Sequence, residues 1–181
     1  MPFTPFHLGP AVAIKAAAPR RFSFLVFGFS QVLIDLEPAY YMLQGQAFVH
    51  RFFHTCVGAT VIGVAALVIG RPVCTWALRL GRALAGRDAT RAGTAEAAAG
   101  TRDRSEPRIG LGPAALAAFV GAYSHVLLDS VMHADIRPLA PFSQANPLFR
   151  VISLDALHTF CMACAILGLV GLALRARARR T

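Results

Sequence analysis

The sequence predicts an all-α, polytopic membrane protein with about four transmembrane helices and a short N-terminal helix. Apolar residues make up 56% of the chain and charged residues only 15%, a balance that is unusual for a water-soluble domain. The charged residues are also clustered, so several long stretches contain none. A length of 181 residues suits one domain, and we treat residues 1–181 as a single helical membrane domain.

Three long runs without acidic or basic side chains other than histidine are the main candidates for transmembrane helices: Thr55–Gly70, Ile109–Leu128 and Ala156–Leu174. A bilayer core of ~30 Å needs about 20 helical residues, with a lower limit near 17. The second and third runs meet this length. The first reaches it if the Arg71 side chain extends to the interface and Pro72 ends the helix.

Two weaker segments complete the helical prediction. The run Phe22–Ile34 continues past Asp35 and Glu37, and it spans a membrane only if these carboxylates face protein or a cavity. The first apolar stretch, about Leu8–Ala18, precedes its positive charges, which is the reverse of a cleavable secretory leader. It predicts a short interfacial or re-entrant helix.

Arginine placement predicts the orientation. The formal net charge is +9, and the arginines concentrate in residues 71–108 and in the tail RARARR. Basic segments beside apolar spans are typical of cytoplasmic loops, and this arrangement argues against nucleic-acid binding. Within the first basic segment, residues 83–107 lack apolar periodicity and predict a flexible cytoplasmic loop. The C-terminus is then also cytoplasmic.

The histidines and the carboxylates within or beside the spans fall at the opposite, outer face in this topology. Because the topology rests on arginines alone, this gathering is independent evidence for a site. Such side chains are unfavourable near lipid unless they are paired, hydrated or bound to metal. The side chains gathered at the outer face are all six histidines and three carboxylates: His7, His50, His54, His125, His133, His158, Asp35, Glu37 and Asp129.

The spacing of these residues indicates metal ligands. His125, Asp129 and His133 follow one another at four-residue intervals, and the first two can share an ion more easily than all three. His50 and His54 have the same spacing and would share a face if helical. Nitrogen and oxygen ligands without cysteine favour zinc, manganese or iron.

The carboxylates and the remaining candidates leave alternatives open. Asp35 and Glu37 lie two residues apart, so one of them is a supporting partner or caps a turn at Pro38. For His50 and His54, a structural role and a ligand role are equally compatible with the spacing. His7 and His158, taken from spacing alone, are typical of structural hydrogen-bonding residues. Cysteines of the Cys-x-x-Cys pair at 161–164 are typical of small packed residues in a helix.

Four blocks in the same order resemble the YdjM-like inner-membrane proteins of bacteria, which are described as metal-dependent hydrolases. The blocks are MPFTPFHLGPA at the N-terminus, DLEP at 35–38, HRFFHT at 50–55 and SHVLLDSVMHADIRPLAPF at 124–142. That family is distantly similar to zinc-dependent phospholipase C and P1-type nucleases. Two departures stand out: the chain has Asp35-x-Glu37 where family members often have Asp-x-Asp, and the spacing of His50 and His54 is one residue shorter.

The resemblance implies a divalent metal, with zinc first and manganese or iron as alternatives. The implied ligands are His7, Asp35, His50, His54, His125 and Asp129, and Glu37 is implied as a further member of the site and proposed as the catalytic base. A metal lowers the pKa of bound water toward about 7, and two ions can clamp a phosphate ester.

The leading hypothesis is therefore a multi-pass inner-membrane hydrolase that uses metal-activated water on a phosphoester, with membrane lipid as partner and candidate substrate. Its site would face the periplasm. The rival is a membrane protein whose His/Asp metal site is structural or serves sensing or transport. A transporter would need ligands near mid-bilayer, whereas these concentrate at one end.

Overall fold

The computed structural model describes residues 5–91 and 107–179, and the regular secondary structure in these ranges is entirely helical. A 3₁₀ turn at Pro5–His7 leads into the first helix. This confirms the predicted all-α fold, including the short apolar helix near the N-terminus. The helices are α1 (Leu8–Ala17), α2 (Phe24–Leu43), α3 (Cys56–Ala65), α4 (Arg71–Arg91), α5 (Leu111–Met132) and α6 (Leu154–Ala178).

Within the described residues, three helical stretches are long and apolar enough to cross a membrane: Cys56–Gly86, Leu111–Met132 and Leu154–Ala178. Helix α2 has 20 residues but is less apolar and does not belong to this set, so a fourth span stays a prediction. The three stretches also carry exposed apolar side chains, such as Leu167 at 70% exposure. Such a surface suits contact with lipid.

The helical stretch that begins with α3 does not end at Pro72, contrary to the expectation from the sequence. A π-helical turn at Ala66–Gly70 joins α3 to α4, and the chain stays helical to Arg91. The backbone N–H of Arg71 donates to Ala66, one residue further back than in an α-helix. This wider turn immediately precedes the proline, whose ring would otherwise crowd the preceding turn.

The same continuous helix corrects the predicted loop at 83–107. Residues 83–91 belong to α4, which extends well past the apolar stretch. Alanine and leucine in this segment have high helix propensity, and a helix already nucleated upstream propagates through them. The rest of the predicted loop, residues 92–106, lies outside the described residues.

Side-chain caps start three of the helices and fix where they begin. Ser23 accepts a hydrogen bond from the N–H of Val26 at 3.4 Å at the start of α2. Thr55 accepts from Gly58 at 2.9 Å before α3, and Ser153 accepts from Ala156 before α6. Each cap satisfies an amide that the first helical turn leaves without a partner.

Helix α5 lies against both α2 and α3, while α1 packs mainly against α6. Glycine permits the second contact. A Cβ on Gly168 of α6 would meet the backbone of Val12 and Ala13 in α1 at 2.6 Å. A Cβ on Gly9 of α1 would likewise overlap the carbonyl of Cys161. Close approach of α1 and α6 therefore fixes the position of the residues that precede α1, including His7.

Candidate metal centre

His125 lies in the middle of the polar cluster, and its two ring nitrogens have different surroundings. Nδ1 is 2.9 Å from the amide oxygen of Gln31, whose amide nitrogen donates to the carbonyl of Gly121 at 2.8 Å. Since the amide nitrogen of Gln31 is used by Gly121, its oxygen accepts from His125 Nδ1–H. In the neutral imidazole the other nitrogen, Nε2, then carries a lone pair that faces the cluster.

Two carboxylates face this lone pair. His125 Nε2 is 3.3 Å from Asp35 Oδ1 and 3.2 Å from Asp129 Oδ2. His54 joins them, with its Nε2 3.6 Å from the same Asp129 oxygen. One ligand atom from each of the four residues lies within 4.8 Å of the others, and all four are buried. These four residues are called the inner group below.

Three chain segments supply the inner group. Asp35 is in the second half of α2, and His54 ends the turn that precedes α3. His125 and Asp129 lie one turn apart near the end of α5, as their four-residue spacing predicts. The buried cluster therefore depends on the packing of α5 against both α2 and α3.

Glu37 lies beside the inner group and holds the segment that carries His54. Its Oε2 accepts hydrogen bonds from the backbone N–H groups of Arg51 at 3.0 Å and Phe53 at 2.9 Å. The same oxygen is 3.6 Å from His54 Nδ1. Helix α2 continues through Pro38 to Leu43, so there is no turn at the proline for Glu37 to cap. The structure thus places Glu37 as a supporting partner of His54, and its role as a base stays a prediction.

His7 approaches the cluster from the turn before α1. Its Nε2 is 3.1 Å from Asp129 Oδ1, the carboxylate oxygen that does not face His54 and His125. The ring packs edge-on against that of His125, with centroids 4.6 Å apart. His7 is buried, so a residue far from the others in sequence does reach the site.

A second arrangement, the outer group, consists of His50, His133 and Asp129, whose ligand atoms also lie within 4.8 Å of one another. The rings of His50 and His133 have centroids 4.5 Å apart. Both histidines are half-buried, whereas Asp129 is buried. Asp129 therefore belongs to both groups and lies between them.

Asp135 holds His50 in place. Its carboxylate oxygens lie 2.9 and 3.0 Å from His50 Nδ1, and Oδ2 also accepts from the backbone N–H groups of Val49 and His50. Burial alone would raise the pKa of Asp135, but the hydrogen bonds from His50 hold it below its ordinary value. Burial and the neighbouring His54 lower the pKa of His50, despite the opposing effect of Asp135. His50 is thus a neutral imidazole near pH 7, with Nε2 available as a ligand.

Buried polar atoms without hydrogen bonds test whether a metal fits. Both ring nitrogens of His54 and of His7, and Nε2 of His125, lack a hydrogen-bond partner, although several lie within 4 Å of a carboxylate. The distances between these nitrogens and the carboxylate oxygens are those of ion pairs, but the atoms are not oriented for hydrogen bonds. An unsatisfied buried polar group costs about 1–3 kcal/mol. A neutral imidazole has one nitrogen lone pair, and a divalent cation would bind that nitrogen in each of the three rings, so the donor set fits a metal.

The structure brings together all of the predicted ligands. It also corrects the premise that His50 and His54 lie on a helix. The segment 50–54 is not helical, so His50 and His54 do not share a helix face. Their rings nevertheless pack with centroids 4.7 Å apart, because the turn folds back on itself. His158 instead stacks on the ring of Phe6, with centroids 4.4 Å apart, and belongs to neither group.

Sequence reasoning missed two supporting residues, Gln31 and Asp135, and assigned no role to His133. Gln31 carried a usable signal, because it lies four residues before Asp35 on the same face of an apolar helix. Asp135 had no such signal, since its partner His50 is 85 residues away in the chain. His133 follows the last residue of α5 and reaches the outer group from an extended backbone conformation.

Comparison with known proteins adds no relative. No family model, curated protein or solved structure matches the chain. The resemblance to YdjM-like proteins therefore stays a prediction that rests on the four sequence blocks.

Proposed function

We propose that this protein is a membrane-embedded, metal-dependent hydrolase that acts on a phosphoester, with a lipid ester as the candidate substrate. The observation that supports it most is the environment of His125. Gln31 holds one ring nitrogen, and the other faces the carboxylates of Asp35 and Asp129 at 3.3 and 3.2 Å. An imidazole oriented by a second residue toward buried carboxylates is typical of a metal ligand.

Zinc is the first candidate ion, with manganese and iron as alternatives, because the inner group offers imidazole nitrogens and carboxylate oxygens. When bound, such an ion supplies Lewis acidity and activates water near neutral pH. The proposed ligands are Asp35, His54, His125 and Asp129, with His7 contacting the second oxygen of Asp129. Glu37 is the proposed base. Its contacts to the 51–54 segment all use Oε2, which leaves Oε1 as the atom to accept a proton.

A cavity beside the site supports an amphiphilic, anionic substrate. It has a volume of about 430 Å³ and is lined by His50 and Asp135 of the site region, by Phe48 and Phe52, and by two arginines. Arg51 lies over the ring of Tyr41 with Cζ 3.8 Å from the centroid, and Arg137 donates to Gln144 at 2.7 Å. Guanidinium groups of fixed orientation suit a phosphate, and the phenyl rings suit an acyl chain.

Membrane lipid is the proposed partner, and the bacterial inner membrane is the proposed location. The arginine distribution supports a cytoplasmic C-terminus and a periplasmic site. His54 precedes α3, Asp129 lies in the last turn of α5, and Asp35 is in the second half of α2, so the proposed ligands gather toward one end of the helices, which favours a hydrolase of interfacial substrates over a transporter. Membership of the YdjM-like family is part of this proposal.

The test is hydrolysis of a generic phosphodiester and of a phospholipid by the full chain, purified in detergent and loaded with Zn²⁺ or Mn²⁺. We expect Asp129→Asn to lower activity at least about 100-fold, because it removes the charge shared by the site histidines. Asp155→Asn, at an exposed position in the first turn of α6, is the matched control and should retain activity. A metal-loaded protein that hydrolyses neither substrate would favour the structural or sensory alternative.

A further inference from the structure

The histidines of the outer group, like His125 of the inner group, are held by hydrogen bonds to neighbouring residues. Asp135 accepts hydrogen bonds from Val49 and His50 backbone N–H groups at 3.1 and 3.2 Å and contacts His50 Nδ1 at 2.9 Å. This contact leaves His50 Nε2 as the free nitrogen. A carboxylate bound to the distal nitrogen of a histidine is the common support of a metal ligand.

His133 is fixed from the other side. Its backbone N–H donates to the backbone carbonyl of Asp129 at 2.8 Å, and its own carbonyl accepts from the Asn146 side chain at 3.2 Å. Asn146 also donates to the carbonyl of Ser130 at 2.9 Å. The loop after α5 is therefore tied to the end of that helix, and the His133 ring is held beside His50.

Asp129 joins the two groups. One of its oxygens, Oδ2, faces His54 and His125 of the inner group, and a ligand atom of the same carboxylate lies within 4.8 Å of His50 and His133. A carboxylate has two oxygens and can bind one ion with each. Paired ions in hydrolytic sites are about 3.5–4 Å apart, a separation that a bridging carboxylate spans.

We propose that the outer group is a second metal site, in which His50, His133 and Asp129 bind a divalent cation and Asp129 bridges it to the ion of the inner group. This inference rests on the inner ion of the proposed function but not on the reaction. Three ligands leave coordination positions for water or substrate, as in catalytic rather than structural sites.

The outer position also lies on the substrate side. His50 and Asp135 line the cavity, whereas all four residues of the inner group are buried. A phosphate entering between Arg51 and Arg137 would meet the outer ion first. The outer ion would then bind a substrate oxygen, while the inner group lies deeper. Two neighbouring ions can bind two oxygens of one phosphate group. The inner and outer positions together therefore favour a phosphate ester over substrates whose hydrolysis needs one ion.

The test is the metal content of the full chain, purified in detergent and equilibrated with Zn²⁺, together with the electron paramagnetic resonance spectrum of the Mn²⁺ form. We expect two ions per chain and an exchange-coupled manganese pair. His133→Ala should bind one ion and show the spectrum of isolated Mn²⁺. His158→Ala, which removes a histidine outside both groups, is the matched control and should bind two.

Asp135→Asn provides a second variant that keeps all metal ligands. The substitution should lower the affinity for the more weakly bound ion by about 10- to 100-fold and leave the affinity for the tighter ion unchanged. One ion in the wild-type protein, or two in His133→Ala, would overturn the second site. Absence of bound metal in the wild type would overturn both sites and the proposed function. Two ions without hydrolysis would support the second site and reject only the reaction.

Discussion

At the scale of single residues, Gln31 determines which nitrogen of His125 faces the cluster. A neutral imidazole carries one N–H, and the Gln31 oxygen accepts a hydrogen bond from it at Nδ1. Without this acceptor, Nε2 could carry the proton instead and point it at the carboxylates, where it would exclude a cation. The buried amide thus keeps the proton off Nε2, the nitrogen that would bind the proposed ion.

Gln31→Leu tests this role. We expect metal affinity to fall by about 10- to 100-fold with the fold retained, because leucine fills similar volume but accepts no hydrogen bond. Competition with a zinc chelator measures the affinity. Gln44→Leu makes the same substitution at an exposed position just after α2 and should bind as the wild type does. Equal affinities of the two variants would contradict the orienting role.

The residues of the site differ in how far the sequence could predict them. His125 and Asp129 depend only on helical spacing, which α5 confirms. His133 was harder to assign because the helix ends at Met132, and the direction of the next side chain depends on the clamp by Asn146. Asp135 depends on a contact between two loops, and no local pattern encodes such a contact.

At the scale of helices, the packing of α1 on α6 links a distant surface to the site. A Cβ added to Gly168 would lie 2.6 Å from the backbone nitrogen of Ala13. A side chain here would push α1 away from α6. Since His7 immediately precedes α1, the displacement would move its ring relative to Asp129.

Gly168→Ala should therefore destabilise the protein and loosen the site. Forcing a methyl group against backbone costs about 1–3 kcal/mol, so we expect a thermal midpoint several degrees lower. Weaker metal binding should accompany it. The control is Gly28→Ala in α2, where an added Cβ meets nothing within 4 Å and alanine favours the helix. Scanning calorimetry in detergent measures both, and a Gly168 variant as stable as the control would disprove the close contact.

The helices themselves were easier to predict from the sequence than their ends. Apolar runs identified the three stretches that are long enough to cross a membrane. The helix ends that were predicted from prolines are wrong. Pro72 follows a π-helical turn and Pro38 lies inside α2, and the chain stays helical past both. A proline ends a helix only when the preceding turn cannot widen or the lost hydrogen bond cannot be spared, and this depends on the surrounding packing.

At the scale of the whole molecule, the site lies at one end of the helix bundle. The two loops that contribute to it, residues 44–55 and 133–153, are on the same face and meet through His50 and Asp135. The basic segment of α4 begins beyond the π turn, at the far end of the same continuous helix. A membrane containing these helices would therefore separate the site from that arginine-rich segment.

Cysteine labelling tests the orientation. In a cysteine-free background, Gln144→Cys in the loop beside the cavity should react with a membrane-impermeant maleimide in intact cells whose outer membrane admits the reagent. Arg82→Cys in α4 should react only after lysis, because the positive-inside rule puts it in the cytoplasm. Reaction of Arg82→Cys alone in intact cells would reverse the orientation and move the site to the cytoplasmic face.

The packing of α1 against α6 has a consequence for biosynthesis. His7 leaves the ribosome before every other residue of the site, yet the helix that it precedes finds its main partner in α6, which is made after all of the other ligands. The inner group can assemble from α2, α3 and α5 earlier. His7 would thus join Asp129 last, and a chain that lacks α6 would present an incompletely closed site.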